Sequence, residues 1–192
     1  MRYIWGHALG AAVGQLELFD RKFLAPRSRD LFDGDALKDW KAKIVACQQR
    51  ERLTSPPQQQ ALFDLAAVAD PVAIDPFSLR LYSSLFYRFS LEGKGRPCLY
   101  FVLDRAASLL LYVGETCQVN QRWRGIHDCK RYIENYLQLH RELGIEASLA
   151  TAFYWQVPTA TRARQALERR LIYRWRSPFN KENWLYWGHP FR

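Results

Sequence analysis

The chain has 192 residues, of which 48% are hydrophobic and 15% aromatic, so it can bury a full core and is not a disordered chain. Its 28 basic residues outnumber 19 acidic ones, which gives a formal net charge of +9. Twenty-one of the basic residues are arginine, whose side chain can bind phosphate with two parallel hydrogen bonds. This balance favours an anionic partner, nucleic acid first of all, over a surface that is basic only for solubility.

The positive charge is concentrated in the second half of the chain. Residues 1–92 carry 12 basic and 11 acidic residues, whereas residues 93–192 carry 16 and 8. The breaker Gly93-Lys94-Gly95-Arg96-Pro97 separates the two parts. We therefore expect a helical or irregular N-terminal region over 1–92 and a domain over 93–192 that binds the polyanion.

The sequence gives little support for a structural zinc site or for a membrane-spanning segment. Four cysteines, at 47, 98, 117 and 129, form no CxxC and fit no structural zinc pattern, so reduced thiols in a cytoplasmic protein are the simplest interpretation. The longest apolar runs, such as residues 109–113, are too short to span a bilayer, and no membrane partner is expected.

The first half contains few strong structural patterns. The first thirty residues have no sustained hydrophobic period and are predicted to be irregular. Residues 35–53 have apolar residues at helical spacing and are predicted to form a helix. Pro57 suits the first turn of a second helix over 58–68, and residues 77–89 are ambiguous between helix and strand.

The second half has sharper patterns. Apolar runs predict a hairpin of two strands and then a third strand, with helices between and after them. The predicted strands are 98–103, 109–114 and 150–157, and the predicted helices are 119–125, 129–143 and 159–176. This order predicts an α+β fold with a small three-stranded antiparallel sheet flanked by helices.

The hairpin carries two tyrosines. If its turn is symmetric about Ala106, Tyr100 lies opposite Tyr112, and cross-strand partners project from the same face. Paired phenols can relay a proton or orient a water. The alternative is that both tyrosines pack in the sheet and expose only the hydroxyl group to solvent.

Two further candidates follow the hairpin. Arg122 comes eight residues after Gly114, on a short predicted helix that can return it over the tyrosine face. An arginine there could neutralise charge that grows on a phosphate. His127 could shuttle a proton near neutral pH, or could be an ordinary hydrogen-bonded histidine.

The last helix has one acid, Glu168, among six arginines. Glu168 either forms an i,i+4 pair with Arg164 or binds a metal, since Mg²⁺ is often held by one carboxylate and substrate phosphate oxygens. Asn180, twelve residues later, could steady that carboxylate or the substrate. The arginines are Arg162, Arg164, Arg169, Arg170, Arg174 and Arg176.

Taken in order, these motifs resemble those of the GIY-YIG nuclease family over about residues 97–182. The resemblance is carried by Cys98-Leu99-Tyr100, Tyr112-Val113-Gly114, Arg122, Glu168 with Leu171-Ile172, and Asn180. It implies a phosphodiesterase that hydrolyses DNA with Mg²⁺ or Mn²⁺, in repair, recombination or replication. A restriction or homing endonuclease, or a non-catalytic nucleic-acid-binding module, is the alternative.

The resemblance also implies a role for each residue. Tyr100 helps to activate the attacking water, and Tyr112 lies near the scissile phosphate. Arg122 stabilises the pentacovalent phosphate, Glu168 is the single metal ligand, and Asn180 supports the site.

Two positions depart from the family pattern. The Gly-Ile of the first motif is Cys98-Leu99, and the position of the common histidine is Ile126, so that His127 falls one residue late. Because of this shift, basic side chains nearby could replace the histidine or bind phosphate. The residues expected to bind nucleic acid are Arg124, Lys130, Arg162 and Arg169.

A short peptide in the first half resembles the motif by which bacterial proteins dock on the replication sliding clamp. It runs from Gln15 to Phe19, with Gln15 as the polar anchor and Leu16, Leu18 and Phe19 as apolar contacts. Residues 59–63 match less well. A chance match, or a helix core face for 59–63, is the alternative in each case.

Overall fold

The computed structural model describes residues 33–54, 74–83, 96–117 and 128–192. Within these ranges, no helix is long and apolar enough to cross a membrane. The elements in chain order are α1 (Gly34–Leu53), β1 (Leu81–Ser83), β2 (Cys98–Asp104), β3 (Leu109–Thr116), α2 (Asp128–Glu142), β4 (Leu149–Tyr154), α3 (Thr161–Trp175), a 3-10 turn (Lys181–Asn183) and α4 (Trp184–Trp187).

The fold is α+β, as predicted, but its antiparallel sheet has four strands rather than three. The strand order is β1-β4-β2-β3, and β1 pairs with β4 through Leu81–Ala152, Tyr82–Thr151 and Ser83–Ala150. The fourth strand lies within residues 77–89, which the sequence left ambiguous between helix and strand, because a strand of three residues is too short to show an alternating pattern. Its place in the sheet comes from a distant pairing.

The sheet lies between helices on both faces. Tyr100 and Val102 of β2 face a core that includes residues of α1 and α2, whereas Leu99 and Phe101 face a second core that includes residues of α3. Every residue of β2 is buried. The continuous apolar run of this strand is therefore the sequence signature of a central strand covered on both sides.

Helix α1 belongs to the same folded unit as the sheet. Asp33 caps it by accepting hydrogen bonds from the amides of Asp35 and Ala36. Farther along, the Gln48 side chain donates to the carbonyl of Leu110 and accepts from its amide. The expected division near residue 93 thus separates chain segments that share one core, and residues from 93 onward would lack both α1 and β1.

A buried polar network fastens α1 to the hairpin turn. The Lys41 ammonium group contacts Asp104 Oδ2 at 2.9 Å and His140 Nε2 at 3.0 Å, and the Tyr136 hydroxyl donates to the same carboxylate oxygen at 2.7 Å. The other oxygen of Asp104 accepts from the amides of Ala106 and Ser148. Such a network is stable only when all of its members are satisfied.

The network predicts that stability depends on His140 ionisation. Its Nδ1 lies 2.8 Å from the Tyr136 carbonyl and donates to it, so Nε2 accepts from Lys41. Burial, assisted by the Lys41 charge, lowers the pKa of His140 below its ordinary value of 6.5. Below about pH 6.5, His140 binds a proton in the unfolded chain but stays neutral in the folded protein. The free energy of unfolding therefore falls as the pH falls.

We expect urea unfolding between pH 7.5 and pH 5.5 to show this loss, with a slope of at most about 1.4 kcal/mol per pH unit for one proton. His140→Gln should reduce the pH dependence in this window. His189→Gln, which changes an exposed histidine, is the control. An unchanged slope in His140→Gln would contradict the assignment.

Candidate functional site

The candidate site is built on the open edge of β3, which is the outer strand of the sheet. The backbone groups of Leu111, Val113 and Glu115 along this edge are bonded by groups from outside the sheet. The Phe179 amide donates to the Leu111 carbonyl at 2.9 Å. Asn180 bonds Val113, and Glu168 bonds Glu115.

Asn180 acts as a short substitute for a neighbouring strand. Its Oδ1 accepts from the Val113 amide and its Nδ2 donates to the Val113 carbonyl, both at 2.9 Å. The same Oδ1 accepts from the Ser177 hydroxyl at 2.6 Å. The side chain is buried and bonded to backbone, so it positions β3; none of these bonds reaches the Glu168 carboxylate.

Glu168 reaches the same edge from α3. Its Oε1 accepts from the Glu115 amide at 3.0 Å, which fixes the carboxylate one residue beyond Gly114. The alternative i,i+4 pair with Arg164 does not form. Arg164 is 1% exposed and its Nε pairs with Glu115 Oε2 at 2.7 Å. Glu168 is thus held by backbone rather than neutralised by that arginine.

The pairing of the two tyrosines differs from the symmetric hairpin. Tyr100 lies opposite Gly114 and Tyr112 lies opposite Val102, so the predicted direct pair is wrong. The turn holds four residues, which moves the register by one, and an irregularity after Val102 moves it by one more. Because the total shift is two residues, both tyrosines still share a face, and their ring centroids are 5.8 Å apart.

Gly114 is required by the Tyr100 ring. A Cβ atom at this position would lie 2.5 Å from Tyr100 Oη and closer still to the ring carbon that carries it. The phenol therefore lies across the glycine backbone. The glycine of the second motif has a steric role that the residue pattern alone did not reveal.

Tyr112 is held in its neutral form. Burial is the main cause that raises the pKa of its phenol, and the neighbouring Tyr100 adds to the effect. The Glu168 carboxylate raises it further. Tyr112 is therefore a hydrogen-bond donor at neutral pH rather than a base.

These groups meet in a cavity of about 520 Å³ between α2 and α3. Glu168 and Arg169 come from α3, and Tyr112 comes from the sheet. Across from them lie residues of α2 and of the 3-10 turn. The lining of the cavity includes the side chains of Tyr112, Asp128, Tyr132, Glu168, Arg169 and Lys181.

The predicted nucleic-acid contacts separate into two groups. Arg169 lines the cavity, and Arg162 is exposed on the same helix but is not part of the lining. Lys130 is half-buried on α2 and is also outside the lining. Arg174 and Arg176, two of the six arginines of the last predicted helix, lie over the rings of Trp175 and Tyr186.

Several predicted residues lie outside the described ranges. They are Arg122, Arg124 and His127, together with the docking peptide Gln15, Leu16, Leu18 and Phe19 and its weaker match at 59–63.

Among the described residues, no group of three or more histidine, cysteine or acidic side chains is arranged to hold a metal ion. Glu168 is the acid at the tyrosine edge of the cavity. A metal here would have one protein carboxylate and would need water and substrate oxygens for its other ligands.

Comparison with family models, curated proteins and solved structures gave no match. The resemblance to GIY-YIG nucleases therefore rests on the ordered motifs of the sequence.

Three features of the site were not predictable from the sequence: the Glu115–Arg164 pair, the Asp128–Lys181 pair and the buried Tyr132. The two pairs link residues that are 49 and 53 positions apart, and no local pattern marks them. The sequence does not distinguish Arg164 from the five other arginines of its predicted helix. Only the packing shows that it points inward.

Gly114→Ala should displace the Tyr100 phenol. The clash is with a ring held in the core, and overpacking of this kind costs about 1–3 kcal/mol. We expect Tm to fall by about 3–10 °C in a chain of this size. Gly34→Ala is the matched control, since a Cβ there meets only Ile145 Cδ1 at 3.9 Å. An equal Tm in both variants would contradict the close approach.

Asn180→Ala should destabilise the edge of β3. It leaves the amide and carbonyl of Val113 without these partners, at about 1–3 kcal/mol for each buried group. Asn135→Ala removes a single half-buried bond to the Phe191 carbonyl and should cost less. Urea unfolding measures both, and a smaller loss in Asn180→Ala than in Asn135→Ala would contradict the strand-substitute role.

Proposed function

We propose that the chain is a metal-dependent endonuclease of the GIY-YIG type that hydrolyses phosphodiester bonds in DNA. One observation carries the proposal. The carboxylate of Glu168 and the neutral phenol of Tyr112 line the same cavity, and both are fixed by the edge strand that carries the second motif. A carboxylate held beside a phenol donor suits phosphate chemistry better than it suits packing.

The residues fit a magnesium ion held by one carboxylate. Glu168 is half-buried, its Oε1 accepts one backbone hydrogen bond, and a carboxylate has further acceptor sites. Mg²⁺ keeps several waters and is commonly held by one or two carboxylates together with phosphate oxygens. When bound, the ion would polarise the scissile phosphate and stabilise the charge on the leaving oxygen.

The other side chains act on the substrate directly. Tyr112 donates a hydrogen bond to a phosphate oxygen or to the attacking water, because its phenol stays protonated. Tyr100 orients Tyr112 by packing against it, and Arg169 supplies positive charge to a flanking phosphate. From the resemblance, Arg122 stabilises the charge of the pentacovalent phosphate, and His127 acts in proton transfer.

A catalytic role is favoured over nucleic-acid binding alone. Binding requires cations, and an acid in the cavity opposes it by repelling phosphate. Glu168 nevertheless lies in the cavity of a protein with net charge +9. This is understandable if the carboxylate holds a metal ion. Repair, recombination or replication is the proposed setting, with docking on a sliding clamp through Gln15–Phe19.

Glu168→Gln should lower the rate of Mg²⁺-dependent DNA cleavage by at least about a hundredfold, because it removes the charge that holds the metal. The amide oxygen can still accept from Glu115, so the fold should persist. Binding of the same DNA without metal should be unchanged or tighter.

Glu182→Gln is the matched control, since it removes an exposed acid that also lines the cavity. Cleavage of labelled duplex, flap and single-stranded DNA with and without Mg²⁺ measures the effect. Full activity in Glu168→Gln would exclude it as the metal ligand, and no cleavage of any substrate by the unchanged protein would exclude the proposed function.

A further inference from the structure

A second charged cluster lies across the cavity from Glu168. Asp128 begins α2, and its Oδ2 is bonded by the Lys181 ammonium group. Its Oδ1 is 3.2 Å from Arg131 Nη2. The charge of Arg192 is also close enough to lower the pKa of Asp128, after the main contribution from the Lys181 hydrogen bond. One carboxylate thus contacts two cations, Lys181 and Arg131, and these three groups together carry one excess positive charge.

The contacts of Asp128 are of a kind that an incoming anion can replace. The side chains of Asp128, Lys181 and Arg131 are 48%, 61% and 46% exposed. Ion pairs this exposed contribute little to stability, so breaking them costs little. A phosphate group offers these cations the same charge-assisted hydrogen bonds as a carboxylate.

A buried hydroxyl without a partner lies in the same wall. Tyr132 is 3% exposed and lines the cavity, and its Oη makes no hydrogen bond with any residue that the structure describes. Its phenol is close enough to Lys181 to influence the pKa of the ammonium group, and Arg131 lies over its ring at 5.6 Å. A buried donor left unsatisfied is unfavourable, and native proteins keep few of them.

We propose that Lys181 and Arg131 form a subsite for a backbone phosphate of the nucleic acid next to the scissile one, and that the Asp128 carboxylate occupies this subsite in the free protein. Tyr132 donates to the phosphate once the Asp128 contacts open. The inference rests on the proposed function, since it assumes that a nucleic-acid strand runs through the cavity from the Glu168 side to the Lys181 side.

The chain offers a matched control for Asp128. Asp35 and Lys38 on α1 form an exposed i,i+3 pair at 3.2 Å, the same spacing and distance as Asp128 and Arg131. Neither residue lines the cavity. Asp35→Asn therefore makes the same change of net charge as Asp128→Asn, and Lys38→Ala the same change as Lys181→Ala.

The first experiment measures binding of a fluorescent DNA oligonucleotide to the full chain without divalent metal, over a series of salt concentrations. We expect Asp128→Asn to bind about three- to tenfold more tightly than Asp35→Asn. Lys181→Ala and Arg131→Ala should bind about tenfold more weakly than Lys38→Ala, with the slope of log K against log salt reduced by about 1 for each. Equal affinities within the matched pairs would overturn the subsite.

The second experiment uses Tyr132→Phe. Because the hydroxyl has no partner in the free protein, its removal should leave Tm unchanged or raise it, while DNA binding weakens several-fold. A fall in Tm with unchanged affinity would show that the phenol is structural and would remove it from the subsite.

The two proposals fail in different ways. Cleavage by the unchanged protein, together with equal affinities of Asp128→Asn and Asp35→Asn, would retain the nuclease and reject the subsite. The absence of DNA binding and of cleavage in the unchanged protein and all variants would reject both.

Discussion

An edge strand of a sheet must satisfy the backbone groups that face away from its neighbour, and this requirement organises the whole site. Along β3, after Leu110, which the Gln48 side chain bonds, these groups recur every second residue, at Leu111, Val113 and Glu115. They are bonded in turn by the Phe179 amide, the Asn180 side chain and the Glu168 carboxylate. Two of the motif residues are thus set by the period of the strand, and the cavity opens where the satisfying groups come from side chains rather than from another strand.

The charged residues divide into those that build this edge and those that surround the cavity. Arg164 is buried and holds Glu115, whose amide in turn orients Glu168. Arg169 is on the same helix but one turn onward, and its side chain is exposed. The excess of arginine in this chain therefore has two physical origins. Net charge alone overstates the surface that is available to an anion.

Much of the fold followed from local patterns, since the apolar runs and breakers placed β2, β3, β4, α2 and α3 within a few residues. The shared face of Tyr100 and Tyr112 was also predictable, because side chains alternate along a strand. The register was not, since it depends on the turn and on an irregularity after Val102. Ion pairs such as Glu115 with Arg164 could not be predicted from the sequence, because they join distant positions that only the folded chain brings together.

The capping of β3 by residues far along the chain has a consequence for the order of folding. The Val113 amide is bonded by Asn180, which lies 67 positions later in the chain. The Glu115 amide is bonded by Glu168, which lies 53 positions later. Contacts of such separation form slowly, and during synthesis the later residues leave the ribosome last. The hairpin can therefore exist before the cavity does. A chain still being made would hold its tyrosines without the Glu168 carboxylate, so the candidate site would stay incomplete until α3 has formed.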